Sequence, residues 1–521
     1  MNIYKKNIFT SNKILILDFG SQYSQLIARK IREIGVYCEI MSYDSPKEKI
    51  QDFSPKGIIL SGGPKSVYQK NRYSIPNIVF DLHCPILGIC YGMQILTLQL
   101  NGKVEKANIR EFGNTIVQIY KKSPILKNIP KDFFQVWMSH TDNVIKIPKD
   151  FQKIASTKNS PYTIIENRKK NFYGIQFHPE VSHTEYGSSI LKNFLNISNC
   201  TRTWKKKNIV ENLIKGVHKK IKKNKVILGL SGGIDSLVTA LIIKKAIEKK
   251  LICIFVNNGL LRIKQEEEIK KINKTLKLNI IYINAKKKFL EKLDGVSDPE
   301  KKRKIIGKLF IEIFQKEADK KNIKWLAQGT IYPDIIESAK KNHISNKAEV
   351  IKSHHNVGGL PKNMKLYLLE PLKNLFKDEV YAIAKLLGLS DNFIYQHPFP
   401  GPGLAIRIAG KFKIKYLKIL KKADYIFIKI LKKKELYQKI NQAFAVFLPV
   451  KSVGIIGDKR QYEYIIVLRA IKTIDFMTAN ISQIPYEILE EISQAIINQI
   501  SNISRVLYDI TNKPPATIEW E

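Results

Sequence analysis

The chain is short of paired cysteines, of acidic residues and of long apolar runs, and each shortage excludes something. Five cysteines, Cys38, Cys84, Cys90, Cys200 and Cys253, are spread over 521 residues. Their number is odd and none forms a CxxC pair, so neither a disulfide framework nor a zinc ribbon is indicated. No apolar run approaches the roughly 20 residues of a membrane span. Residues Met1 to Asn12 lack the apolar stretch of a signal peptide. A soluble, cytoplasmic protein without membrane contact is expected. Asp and Glu number 46 against 88 Lys and Arg, a formal net charge of +42. Nucleic-acid binding is the obvious reading of such a balance. Lysine, however, is distributed along the whole chain, and Ile and Asn are heavily used too, as AT-biased coding would produce. No RNA-binding module with stacking aromatics is visible, so no nucleic-acid partner is expected.

The length allows two to four domains of roughly 100–200 residues each. Over the first 200 residues short apolar runs alternate with amphipathic stretches. ILILDFG (14–20), GIIL (57–60) and PILGI (85–89) read as buried strands, the last followed by an apolar helix around Met93–Leu100. Such alternation predicts a parallel sheet covered on both faces. A lysine-rich amphipathic segment, Trp204 to Lys225, separates this part from a second one. There VILGL (226–230), LICIFVNNG (251–259) and NIIYIN (279–284) read as strands. LVTALIIKKAI (237–247) and Ile263 to about Leu276 read as helices, giving βαβαβ again. HPFPGPGL (397–404) cannot lie inside a helix or a central strand, and a domain boundary is placed there. The expected architecture is therefore α/β: two doubly wound parallel-sheet domains, 13–203 and 204–396, then a smaller α+β domain, 397–521.

Two turns carry chemistry. Cys90 lies in GICYGMQ (88–94), between a strand and a helix. A tight turn there projects the thiol from the sheet edge, the helix N-terminus favours the thiolate, and free N–H groups can hold an oxyanion. Alone, Cys90 reads equally well as a core cysteine. FHPE (177–180) supplies a base. His178 precedes a proline and is pushed towards extended geometry, which puts His178 and Glu180 on one face. Glu180 can then orient the imidazole for Cys90. SGGP (61–64), directly after GIIL, can bring the N–H of Gly62 or Gly63 to an oxyanion hole. The second turn is SGGIDS, with Ser231, Gly232, Gly233, Ile234, Asp235 and Ser236, followed by Leu237. Its glycines let backbone N–H groups turn inward round phosphate oxygens, its serines add donors, and the helix dipole favours an anion. No GK[ST] follows, so it is not a Walker loop. Asp235 beside phosphates is repulsive unless Mg2+ lies between, and holding that ion is its expected role.

Cys90, His178–Glu180 and the upstream glycine loop together resemble the class I glutamine amidotransferase domain over residues 14 to about 196. DFGSQYSQLIAR (18–29) and WMSHTD (137–142) extend the likeness, although Thr141 stands where the family pattern has glycine. The resemblance implies that Cys90 attacks the glutamine amide and releases ammonia. Tyr91 N–H and a glycine of SGGP would be the oxyanion donors, and Gln94 with Ser139–Asp142 would hold glutamine. SGGIDS resembles the loop of the ATP-pyrophosphatase family, which adenylates its substrate. That fixes the chemistry but leaves the acceptor open between several synthetases, NAD synthetase and tRNA-thiolating enzymes among them.

Further segments narrow the choice: VNNGLLR (256–262), GTIYPDIIES (329–338), KSHHNVGGLP (352–361), EPLKNLFKDEV (370–380), HPFPGPGLAIR (397–407), TIDFMTA (473–479) and KPPATIEWE (513–521). In this order they resemble the GMP synthase family. The resemblance implies a carbon–nitrogen ligase using XMP, ATP with Mg2+, and L-glutamine, and a homodimer formed through the C-terminal domain. It makes Arg262, Lys513, Ile518 and Glu519 XMP ligands. It places Asp334 and Glu337 in a mobile lid that serves Mg2+ or ATP. His354 and His355 are poorly spaced for a metal, and the glycines at 358 and 359 suit a flexible lid better.

Overall fold

The computed structural model describes residues 12–69, 71–336, 366–456, 458–473, 476 and 478–521. Glu337 and the segment with His354 and His355 lie outside the described residues. The chain forms two compact units, Met1–Asn212 and Leu213–Glu521.

The first unit is built on nine strands: β1 (Lys13–Asp18), β2 (Tyr37–Ser42), β3 (Gly57–Leu60), β4 (Ile86–Ile89), β5 (Lys103–Ile119), β6 (Phe133–Lys146), β7 (Gln152–Ser156), β8 (Ile164–Asn167) and β9 (Phe172–Ile175). Their order is β2-β1-β3-β4-β9-β8-β7-β5-β6. The first five run parallel. β3, β4 and β9 are buried at every residue, which is why they read as unbroken apolar runs. The remaining four strands extend the sheet in antiparallel fashion. Helices α1 (Ser24–Glu33) and α2 (Tyr91–Gln99) follow β1 and β4.

The second unit holds a five-stranded sheet, β10 (Val226–Gly229), β11 (Leu251–Asn257), β12 (Ile280–Asn284), β13 (Trp325–Ala327) and β14 (Tyr367–Leu369). It is parallel throughout, in the order β12-β11-β10-β13-β14. Its helices include α3 (Ile234–Ile247), α4 (Gln265–Leu276), α5 (Pro299–Lys320) and α6 (Lys377–Leu386). After α7 (Ile414–Lys433) comes a four-stranded sheet centred on the long hairpin β15 (Gln442–Ile456) and β16 (Lys459–Lys472), with β17 (Asn480–Ile481) and β18 (Ile503–Tyr508) pairing β16 and α8 (Tyr486–Gln499) lying between them in sequence. Position 397 lies inside this unit, where one cluster of buried side chains runs from Ile227 to Ile503. Among the described residues no helix is long and apolar enough to cross a membrane.

Candidate active sites

Ligands of open α/β sheets settle outside the carboxyl ends of the strands, and the first candidate site lies there. Cys90 occupies the single residue between β4 and α2, with φ +52° and ψ −110°. A non-glycine residue in such a conformation is strained, and strain of this kind collects at functional positions. Cys90 N donates to Ile175 O at 2.8 Å, tying the elbow to the end of β9. The N–H groups of Tyr91 and its successors begin the helix, where no intrahelical acceptor exists.

Three residues past β9, the chain delivers His178. Its Nδ1 lies 2.7 Å from Glu180 Oε1, and both side chains are buried. Cys90 lies close enough to the same imidazole to add to the upward pull on its pKa. Burial opposes protonation of His178, but the Glu180 charge and hydrogen bond, together with Cys90, outweigh it and hold the imidazole well above its usual range. Thr184 Oγ1 donates to His178 O at 2.6 Å, and the Tyr23 ring packs 4.8 Å from the imidazole. Gly62 closes the third side: a Cβ there would come within 3.4 Å of His178 Cε1 and 3.3 Å of Ser21 Oγ. Its lack of a side chain lets the backbone approach the imidazole closely. Gln94 Nε2 donates to Asp142 O at 2.9 Å and to Gln176 Oε1 at 3.3 Å. The structure thus brings Cys90, His178, Glu180, Gly62, Tyr91 and Gln94 together. It adds Tyr23 and Gln176, which the sequence reading missed. Gln176 had a signal, since it alternates with His178 and Glu180 on one face of an extended run.

The second site lies at the end of β10. Gly232 turns with φ +84°, and Gly233 caps α3. Ser231 Oγ accepts from Gly233 N at 3.2 Å and donates to Ser236 Oγ at 3.1 Å, and Ser236 Oγ donates to Gly233 O at 2.8 Å. The loop is therefore held open by its own serines. Helix α3 begins at Ile234, so Ile234, Asp235, Ser236 and Leu237 all lie in its first turn, earlier than the expected start at 237. Both oxygens of Asp235 accept from Lys377 Nζ, at 2.9 and 2.7 Å. Lys377 opens α6, whose start is fixed by Glu379 Oε2 accepting from Phe376 N at 2.8 Å. Burial works against the Lys377 charge, but Asp235 raises its pKa above the ordinary lysine value. Asp334 is buried and accepts the Ile331 N–H at 2.9 Å. Lys377 is the residue with no local signal: only the fold sets it against the loop.

The residues expected to bind XMP lie in the same unit, with Arg262 and Glu519 linked through Asp424 and Arg407, and Lys513 held separately. Arg262 Nε lies 2.8 Å from Asp424 Oδ2, and its Nη2 donates to Ala443 O at 3.0 Å. Arg262 also lines a cavity of about 360 Å³ with Asn257, Leu261, Lys264 and Lys421. Glu519 takes a two-pronged bond from Arg407, at 3.0 and 2.8 Å, and a third from Gln442 at 2.8 Å. Ile518 packs against Phe444, Val446 and Val467, and its carbonyl accepts from Arg469 at 2.9 Å. Lys513 Nζ donates to Phe476 O at 2.8 Å. The tail from 513 to 521 is thus anchored by fully buried arginines. Arg407→Lys keeps the charge but loses the planar fork. It is expected to cost about 2 kcal/mol, measured as a lower denaturant midpoint for unfolding of the second unit.

A strained cysteine on a strand-to-helix elbow, backed by a His–Glu pair at the sheet's carboxyl edge, defines a class I glutamine amidotransferase. The family model described as glutamine amidotransferase class-I matches residues 15–197. The NAD synthase model matches 206–306, and the GMP synthase C terminal domain model matches 429–520. Full-length relatives settle the family. The chain is 53% identical to the GMP synthase [glutamine-hydrolyzing] of Aliivibrio fischeri over 98% of each chain. It is 54% identical to that of Francisella philomiragia, over 98% of this chain and 99% of the relative. It is 53% identical to that of Proteus mirabilis over the same shares. The chain belongs to the glutamine-hydrolysing GMP synthase family, and is a ligase of that kind.

Proposed function

We propose that the chain converts XMP, ATP, glutamine and water into GMP, AMP, pyrophosphate and glutamate, with the two turns as separate reaction centres. The carrying observation is Cys90 at φ +52° on a strand-to-helix elbow beside a buried His178–Glu180 pair joined at 2.7 Å. In this reading the Cys90 sulfur attacks the glutamine amide carbon. Tyr91 N–H and Gly62 N–H hold the oxyanion, and His178 gives its proton to the departing ammonia. Water then hydrolyses the thioester, with His178 taking a proton from it.

At the second centre the N–H groups of Gly232, Ile234, Asp235 and Ser236 and the hydroxyls of Ser231 and Ser236 receive the ATP phosphates, while Gly233 and Leu237 shape the turn. The C2 oxygen of XMP is adenylated, and ammonia displaces AMP. Mg2+ fits the donor set, because it is commonly held by one or two carboxylates together with substrate phosphates. Asp235 would hold it, and it would supply charge neutralisation at the phosphates. Asp334 lies in the same neighbourhood, contributing to the electrostatics of Lys377. Arg262, Lys513, Ile518 and Glu519 are assigned to XMP. A homodimer is supported by exposed apolar side chains on the C-terminal sheet, among them Val450, Val453, Ile455 and Leu507. A cytoplasmic setting is supported by five buried free thiols.

The test is formation of AMP and pyrophosphate with XMP present, using glutamine or ammonium as nitrogen source and deamido-NAD as the rival acceptor. Both donors should work with XMP and neither with deamido-NAD. Absence of XMP-dependent AMP with ammonium would sink the reading. A pH prediction follows from Glu180, whose charge raises the His178 pKa. The proton needed by departing ammonia is present below that pKa and lost as pH rises through it. Glu180→Gln should therefore shift the alkaline limb of glutamine-driven kcat/KM to lower pH. The ammonia-driven profile, recorded alongside, should not acquire that shift.

A further inference from the structure

We propose that Gln176 is a further catalytic residue of the glutaminase centre, donating to the Cys90 sulfur, and that Gln94 and a buried Glu111–His140 pair position it. The inference rests on the glutaminase reading above and adds to it a side-chain amide that faces the nucleophile. Gln176 Nε2 lies 3.7 Å from Cys90 Sγ, and Gln176 is fully buried. An N–H aimed at sulfur favours the thiolate over the thiol, as any donor to an anion does.

The orientation of the Gln176 amide is fixed by its other end. Gln176 Oε1 accepts from Gln94 Nε2 at 3.3 Å, so the Gln176 amino group must point to the sulfur rather than away from it. Gln94 in turn is fixed by its bond to Asp142 O, 2.9 Å. That carbonyl has a second partner, His140 Nδ1, at 3.1 Å, while His140 Nε2 lies 3.1 Å from Glu111 Oε2. Both ring nitrogens face oxygen atoms, so the ring is held at each end. Glu111 also receives Thr157 Oγ1–H at 2.7 Å. Burial pushes the Glu111 carboxyl up, but its bonds with His140 and Thr157 outweigh this and hold it below the usual range. Glu111 and His140 are direct partners in the β5–β6 ladder. The same strand segment supplies Ser139 O, the acceptor 3.6 Å from Cys90 Sγ. A line of bonds thus runs from Thr157 through Glu111, His140, the Asp142 carbonyl, Gln94 and Gln176 to the reacting sulfur.

The experiment uses the full chain with Gln176→Met, which keeps length and removes the donor, and Glu111→Gln, which removes the charge. Cys90→Ala serves as reference. Glutamine-driven and ammonia-driven AMP formation are measured together with the rate at which iodoacetamide alkylates Cys90, read by peptide mass. Gln176→Met should lower glutamine-driven kcat and the alkylation rate by about tenfold or more, since both need the positioned thiolate. Glu111→Gln, acting through the same line of bonds, should lower glutamine-driven kcat and the alkylation rate severalfold, less than Gln176→Met does. Ammonia-driven rates should stay at the parent level in both, and a parent-level far-UV dichroism and thermal midpoint of the first unit show that the variants fold. If Gln176→Met leaves kcat and alkylation within about twofold of the parent, the proposal is overturned. If Cys90→Ala retains glutamine-driven turnover, the glutaminase reading itself falls, and the assignment of Gln176 falls with it.

Discussion

Cys90→Ala is expected to lower glutamine-driven amination of XMP by about 10⁴-fold or more while leaving ammonia-driven amination intact. The size follows from the role: no other nucleophile stands at the elbow, and His178 and Glu180 are arranged to serve this sulfur alone. The selectivity follows from the architecture. Cys90 belongs to the first unit, and the Ser231–Ser236 loop belongs to the second with its own core. Substitutions in separately packed units with no shared partners behave independently, within about twofold in rate. The change is also gentle on the fold. It replaces a small side chain by a smaller one that accepts the same backbone only with strain already present at φ +52°. Simultaneous loss of both activities in a protein that keeps its far-UV dichroism would refute the separation into two centres.

Much of this was legible because the chemistry sits on short turns after buried parallel strands. GIIL, PILGI and VILGL are fully apolar since both faces of their strands are covered, and they appear as β3, β4 and β10 within a residue. Cys90, Gly62 and the SGGIDS loop follow them directly, so local sequence sufficed to find them. His178 and Glu180 were legible through the proline between them. The hairpin of β5 and β6 was not. Its 17 and 14 residues carry many exposed positions, Ile109 and Phe112 among them, and no continuous apolar run or clean alternation marks them. Glu111 and His140 were hidden for the same reason, as their pairing exists only in that ladder's register. Arg407 and Asp424 were hidden differently. Each is a charged residue in a helical or turn segment, and nothing local says that it is buried against Glu519 and Arg262.

Lys377→Met should lower AMP formation by about 10²–10³-fold with glutamine and with ammonia alike, the expected loss when one charged donor to a transferring group is removed. Its ammonium lies within hydrogen-bond reach of both Asp235 oxygens, at the first turn of α3, where the helix dipole already favours an anion. With ATP absent, Asp235 and Lys377 neutralise each other. When phosphates enter the loop, Asp235 would hold Mg2+, which would supply charge neutralisation there, and the Lys377 ammonium would face the remaining phosphate charge. Methionine preserves the length of the side chain and its packing under Tyr381, whose ring the ammonium approaches at 5.6 Å. It leaves Asp235 without its partner, but that carboxylate is 29% exposed and water can reach it, so the fold should survive. Lys377→Arg, which keeps a charge in a broader head, should recover part of the rate. Iodoacetamide labelling of Cys90 should proceed at the parent rate in both variants, separating this lesion from any at the glutaminase centre. An ammonia-driven rate for Lys377→Met within about tenfold of the parent would exclude Lys377 from the phosphate site and leave its pairing with Asp235 as a purely structural salt bridge.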